Sequence, residues 1–185
     1  NIKFAVNLLV MAIWTLDSMH SSVTFKVRHL VISSVSGHFK SFEGTVESDK
    51  EDFSDARIRF SAEIDSIDTG VEQRDTHLKS ADFFDAGNHP KLTFVSTRVE
   101  KKSDGEYKIH GDLNIRGTSK PIELEAEFGG VQNDMYGRTV SGWEMTGKID
   151  RQQFGLKWSA VTEAGSIVAG NDVKIIIAAE LIKQQ

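Results

Sequence analysis

Residues 122–128 read Ile122-Glu123-Leu124-Glu125-Ala126-Glu127-Phe128, an unbroken alternation of apolar and acidic side chains. A β-strand sends successive side chains to opposite faces of its sheet, so this run has one oily face and one charged face. The same period of two recurs at Val23, Phe25 and Val27, at Ile58, Phe60, Ala62 and Ile64, and at Leu92, Phe94 and Ser96. It returns at Tyr107, Ile109, Gly111, Leu113 and Ile115, at Trp143, Met145, Gly147 and Ile149, and from Val173 through Ile175, Ile177 and Ala179 to Leu181. With a shorter candidate from Phe42 to Val46, the pattern predicts about eight strands bounded by turn residues, as in an all-β sandwich or barrel. A barrel of that size is either filled by its own side chains or holds one small ligand. Ala62, Gly111, Ala126, Gly147 and Ala179 occupy inward positions where a filled core would carry Leu or Phe. The predicted fold is therefore an all-β, eight-stranded antiparallel barrel with a hollow apolar interior.

At 185 residues, 39% hydrophobic and 26% charged, the chain suits a single well-buried domain. A net charge of −5 without a Lys/Arg-rich stretch argues against nucleic-acid phosphates as partners. The absence of cysteine excludes disulfides, thiolate catalysis and zinc–thiolate sites. Residues 1–13 depart from the barrel pattern: Asn1-Ile2-Lys3 precede an apolar run, Phe4 to Ile13, broken only by Asn7. The run is too short for the roughly 20 residues that span a bilayer. It is expected to be an apolar leader, a signal-peptide remnant or an added segment, that packs on a barrel mouth, a groove or a neighbouring subunit, with residues 14–185 forming the barrel.

Turn chemistry predicts connections at Ser48 to Asp55, at Ser103-Asp104-Gly105, and from Gly129-Gly130 to Tyr136-Gly137. Asp68 to Pro90 is expected to be a short helical insert, with Asp68 or Thr69 capping one turn, Asp75 capping another, and Gly87 ending it. A second helical turn is expected from Ala160 to Ala164, closed by Gly165.

Arg74, Asp75 and His77 form the tightest polar cluster and sit where the insert would border a barrel end. They suit a head-group contact for a quinone, phosphate or carboxylate. The alternative, which is what such residues usually do, is structural work, with Asp75 as a cap, Arg74 paired to an acid and His77 bonded to backbone. His20 and His29 flank the first long strand and could meet the same ligand or tie loops together. Phe25, Phe60, Phe94, Phe128, Trp143 and Trp158, mixed with Ala62 and Gly147, are the candidate lining. The six histidines show no metal-ligand spacing, so no metal site is expected. Nor does a nucleophile elbow accompany the serines, so a non-enzyme is favoured.

Several ordered blocks resemble the YceI-like family: Trp14-Thr15-Leu16-Asp17, His20 through Leu30, Gly37-His38-Phe39, and Phe42-Glu43-Gly44. The most specific is Thr69-Gly70 followed by Arg74 through Asp85, with Pro90 and Phe94 after it; Gly111 through Pro121 and Arg151 through Leu156 complete the set. The resemblance covers nearly all of residues 14–185. It implies a lipocalin-like barrel whose hydrophobic tunnel takes an isoprenoid or other long lipid, a polyprenyl quinone or prenyl phosphate, for storage or transport without catalysis. No catalytic cofactor is implied; the bound lipid is the ligand. A periplasmic location is expected, with a cytoplasmic one left open by the leader's lack of a clear cleavage site. A homodimer is a further expectation. The rival classes are an enzyme acting on an isoprenoid or fatty amphiphile through Arg74, Asp75 and His77, and an interaction module with a filled barrel.

Overall fold

The computed structural model describes residues 11–166 and 168–185; most of the apolar leader, residues 1–10, lies outside the described residues. Among the described residues eleven strand segments make one antiparallel sheet: β1 (Ala12–Leu16), β2 (Ser22–His29), β3 (Ser33–Phe39), β4 (Phe42–Ser48), β5 (Arg57–Glu63), β6 (Ile67–Asp68), β7 (Lys91–Ser103), β8 (Glu106–Ile115), β9 (Thr118–Asn133), β10 (Thr139–Asp150) and β11 (Ala169–Lys183). Because β1 pairs with both β4 and β11, the strands β1-β4-β5-β7-β8-β9-β10-β11 close into a ring of eight. Above the ring, β2 continues β1 along β11, and β3 and β6 continue β4 and β5. β6 ends this flap, and the chain from there to β7 carries the helix α1 (Glu72–Lys79) over the unpaired side. The connections β2–β3, β6–β7, β8–β9 and β10–β11 thus share one end of the barrel, and β4–β5, β7–β8 and β9–β10 the other. Among the described residues no helix is long and apolar enough to cross a membrane.

The period-two segments become strands, except that Ile64 begins a 3-10 turn after β5; their apolar faces point inward, and along β8 Tyr107, Ile109, Gly111, Leu113 and Ile115 are all buried. Three strand segments lie outside the predicted pattern, the two-residue β6 at the start of the expected helical insert being the shortest. β1 starts at Ala12, so the wall includes two residues assigned above to the leader, and Trp14 is one of its buried side chains. β3 has the right alternation, Val35, Gly37 and Phe39, but its serines hide the pattern. Gly129-Gly130 is not a connection: β9 runs on to Asn133, and the register against β10 slips so that Gly129 is the extra residue of a bulge, with Gly130 at φ +113°. The helix begins after Val71, which gives no side-chain cap, so neither Asp68 nor Thr69 caps it and Asp75 lies inside it. Residues 160–164 hold no helix; Thr162 to Gly165 is a tight turn closed by the Gly165 N–H to the Thr162 carbonyl at 2.8 Å. The helical turn of this region comes earlier, as a 3-10 turn at Arg151–Phe154 capped by Asp150.

The inward glycines do not open the interior as the sequence suggested. A Cβ on Gly111 would lie 2.3 Å from Phe94 Cζ, one on Gly37 2.4 Å from Phe25 Cζ, and one on Gly147 2.5 Å from Leu124 Cδ2. Each glycine makes room for a large neighbour from the adjoining strand rather than for a ligand. Gly147→Leu is therefore expected to destabilise the barrel by about 1–3 kcal/mol through overpacking. The melting temperature should fall by about 5 °C, and an unchanged value would show that Leu124 has other space to take.

Candidate ligand cavity

The barrel is sealed at one end by its own aromatics. Phe53 reaches in from the β4–β5 connection at φ +57° and is 2% exposed. Its ring lies 5.3 Å from that of Trp14, 5.6 Å from Phe128 and 5.2 Å from Trp143. Tyr107 completes the plug, 5.2 Å from Trp143, and its hydroxyl donates to the Asp52 carbonyl. The connection is held by Asp55, whose carboxylate accepts from Ser48 Oγ at 2.7 Å and from the N–H groups of Asp49 and Lys50. A lone Phe in an otherwise polar loop is the sequence signal for this element.

Between this plug and the opposite end lies a cavity of about 420 Å³, within the range of small-molecule sites. Its walls are almost wholly apolar, with Ile58, Met145, Val173, Ile175 and Ile177 among them. Of the sequence-predicted lining, Phe25, Phe60, Phe94, Trp143, Trp158, Arg74 and His77 face the cavity. Four others do not. Ala62 is 1% exposed and packed in the wall, Gly147 is covered by Leu124, Phe128 belongs to the plug, and Asp75 turns back from the helix to Thr69.

The other end is roofed by α1 and the segment after Arg151. Asp75 Oδ1 accepts from the Thr69 N–H at 2.9 Å and from Thr69 Oγ1 at 2.6 Å, and Thr69 Oγ1 in turn accepts from Arg74 Nε at 2.7 Å. Arg74 Nη2 donates to the Thr69 carbonyl at 2.8 Å. Asp75 thus fixes Arg74 through Thr69 rather than capping or pairing directly. Arg74 and His77 stand three residues apart on one helix face. His77 binds Asp82 at 2.8 Å, not backbone, and its ring lies 5.1 Å from both Phe83 and Trp158. Leu78, Phe83 and Arg151, none of them singled out as ligand contacts from the sequence, also line this mouth.

The two candidate histidines part company. His29 lines the mouth. His20 lies away from the cavity, with Nδ1 2.9 Å from Asp17 and 3.7 Å from Glu180, while Arg138 approaches Asp17 at 3.9 Å. The hydrogen bond to Asp17, then the charges of Asp17 and Glu180, raise the His20 pKa above its ordinary 6.5. The same hydrogen bond holds Asp17 below its ordinary 3.8. The His20 contribution is full below the imidazole's unfolded value and is lost as pH rises through the raised one; the Asp17 contribution is full above the carboxylate's unfolded value and is lost as pH falls through the lowered one. The pair is therefore strongest between 3.8 and 6.5. By NMR titration, His20 is expected to have a midpoint above 6.5 that falls back in Asp17→Asn; a midpoint unmoved by that substitution would refute the pairing.

A family model described as the YceI-like domain matches residues 14–181. A UPF0312 protein of Staphylococcus aureus strain USA300 is 40% identical over 168 residues, 90% of this chain and 95% of its own. Among solved structures, a Campylobacter jejuni YCEI protein is 32% identical with a TM-score of 0.72, covering 86% of this chain and 91% of that one. BcnA of Burkholderia cenocepacia shares the fold at TM-score 0.78 and 19% identity, over 89% and 98% of the two chains. A polyisoprenoid binding domain from Saccharophagus degradans, implicated in plant cell wall breakdown, shares it at TM-score 0.66 and 12% identity, over 92% and 98%. By sequence over nearly its whole described length, and by the closed eight-strand barrel, this chain belongs to the YceI-like family.

Proposed function

We propose that the protein holds a long-chain isoprenoid lipid, a polyprenyl quinone or prenyl phosphate, in the barrel for storage or transport, with no bond made or broken. The observation that carries this reading is the blind apolar cavity, closed by Phe53 and its aromatic neighbours and roofed at the far end by the polar side chains of α1. Such a space takes a tail from one direction and leaves a head group at the rim. Burial of about ten methylenes gives roughly 8 kcal/mol of gross stabilisation, enough to offset an association cost of about 4–15 kcal/mol only when the tail is long. The polyisoprenoid binding domain from Saccharophagus degradans supports the reading by having this architecture.

An enzymatic reading would require Arg74, Asp75 and His77 to converge on one substrate. Asp75 is not part of the cavity lining and is engaged by Thr69, which favours carriage. Native mass spectrometry of the protein from its own host, followed by solvent extraction, tests this. One intact polyisoprenoid per chain is expected. An empty barrel that also refuses added polyprenyl lipid, or one that converts the added lipid, overturns it.

A further inference from the structure

Among the described residues six basic side chains line the cavity, Arg28, His29, Arg59, Arg74, His77 and Arg151, and no aspartate or glutamate does, in a chain whose net charge is −5. Arg28 and Arg59 are exposed, and His77 is engaged by Asp82. Arg74 and Arg151 are different. Arg151 is 4% exposed, yet its guanidinium bonds to the carbonyls of Gly170, Leu156, Trp158 and Ala169 and to the amide oxygen of Asn171. The nearest acid in sequence, Asp150, has its carboxylate turned to the Gln152 N–H. Among the described residues no carboxylate oxygen lies within 4.0 Å of either arginine's nitrogens. A buried cation without a direct ion pair is costly; burial lowers the Arg151 pKa, and the charge of Asp150 offsets this only in part.

The two cations flank one aromatic throat. Arg151 sits 5.9 Å from the centroid of Phe83, and Phe83 and Trp158 pack on His77, one helical turn from Arg74. Nε and Nη2 of Arg74 are tied to Thr69, while Nη1 has no protein acceptor among the described residues. We propose that the bound lipid carries an anionic head, a phosphate or a carboxylate, which takes hydrogen bonds from Arg74 Nη1 in the positive field of Arg151. This rests on the carriage reading and narrows it, since a neutral quinone offers no charged acceptor to the Nη1 edge of Arg74. Asp75 lies nearby but is held by Thr69, and so orients Arg74 without occupying its free edge.

The test measures equilibrium binding of three lipids with one geranylgeranyl tail and different heads: the monophosphate, the carboxylate and the alcohol. A hydrogen bond to a charged group predicts that the anionic lipids bind about ten- to hundredfold more tightly than the alcohol. The preference should shrink as salt is raised, because part of it is Coulombic. Arg74→Gln, with folding checked by melting temperature, should remove most of that ratio. A gain for the monophosphate alone identifies a phosphate head, and an equal gain for both anions shows that one negative charge suffices. Equal affinity for all three lipids in the wild-type protein overturns the head-group assignment and leaves tail carriage standing. No binding of any of the three overturns carriage, and the head-group assignment with it. The wild-type comparison needs no variant, so a fold defect in Arg74→Gln cannot rescue the proposal.

Discussion

Arg151→Met is expected to lower the melting temperature by about 10 °C or more. The side chain is almost wholly buried and satisfies carbonyls on three separate stretches: Leu156, Trp158, and Ala169 with Gly170 at the start of β11. Methionine fills much of the same volume but donates nothing, leaving about four buried acceptors at roughly 1 kcal/mol each or more. At about 2–4 °C per kcal/mol for a chain of this size, the sum is a double-digit shift. Because Arg151 ties the chain after the 3-10 turn to β11, the loss should also loosen Trp158 at the cavity mouth. Differential scanning calorimetry decides the matter, and a shift under about 3 °C would show that these carbonyls find other donors.

Phe53→Ala should be nearly as damaging and should change the ligand kinetics as well. Removing a buried phenylalanine costs about 3–5 kcal/mol, so a fall of about 10 °C is expected. The void would open between Trp14, Phe128 and Trp143, the rings that close the bottom of the cavity. A bound lipid should then dissociate faster than from the wild type, whereas Phe53→Leu, which keeps much of the volume, should retain slow release. Stopped-flow transfer to acceptor vesicles reads both variants. Unchanged release from Phe53→Ala, with the expected loss of stability, would show that the plug serves folding alone.

The strands were legible because a half-buried sheet imposes period two on sequence, as in Ile122 to Phe128. The hollow was inferred correctly from a partly mistaken cause. In sequence, Gly111 and Gly147 look like gaps in the lining, but glycine also lets a neighbouring side chain lie across the backbone, and Phe94 and Leu124 do so. The space comes instead from the ring of eight strands, lined by medium-sized residues such as Ile175, Ile177 and Met145. Phe53 and Arg151 were missed as parts of the site because neither carries a periodic signal. One is a loop residue held inward by the Asp55 network, and the other a charged residue whose bonding partners are backbone carbonyls 5 to 19 positions away. Strand β3 was missed because serine-rich sequence resembles a loop until its pairing with β2 is known.

The central claim is that the lipid tail lies inside the barrel. Met145 and Ile177 are register partners on β10 and β11, and both face the cavity. Binding of geranylgeraniol to the double variant Met145→Trp, Ile177→Trp tests the claim most directly, because two indoles there occupy the tail's space while the rim and the plug stay intact. The predicted result is at least a tenfold loss of affinity, about 1.4 kcal/mol, in a barrel that still melts cooperatively. Undiminished affinity in that folded variant would place the lipid elsewhere and contradict the account.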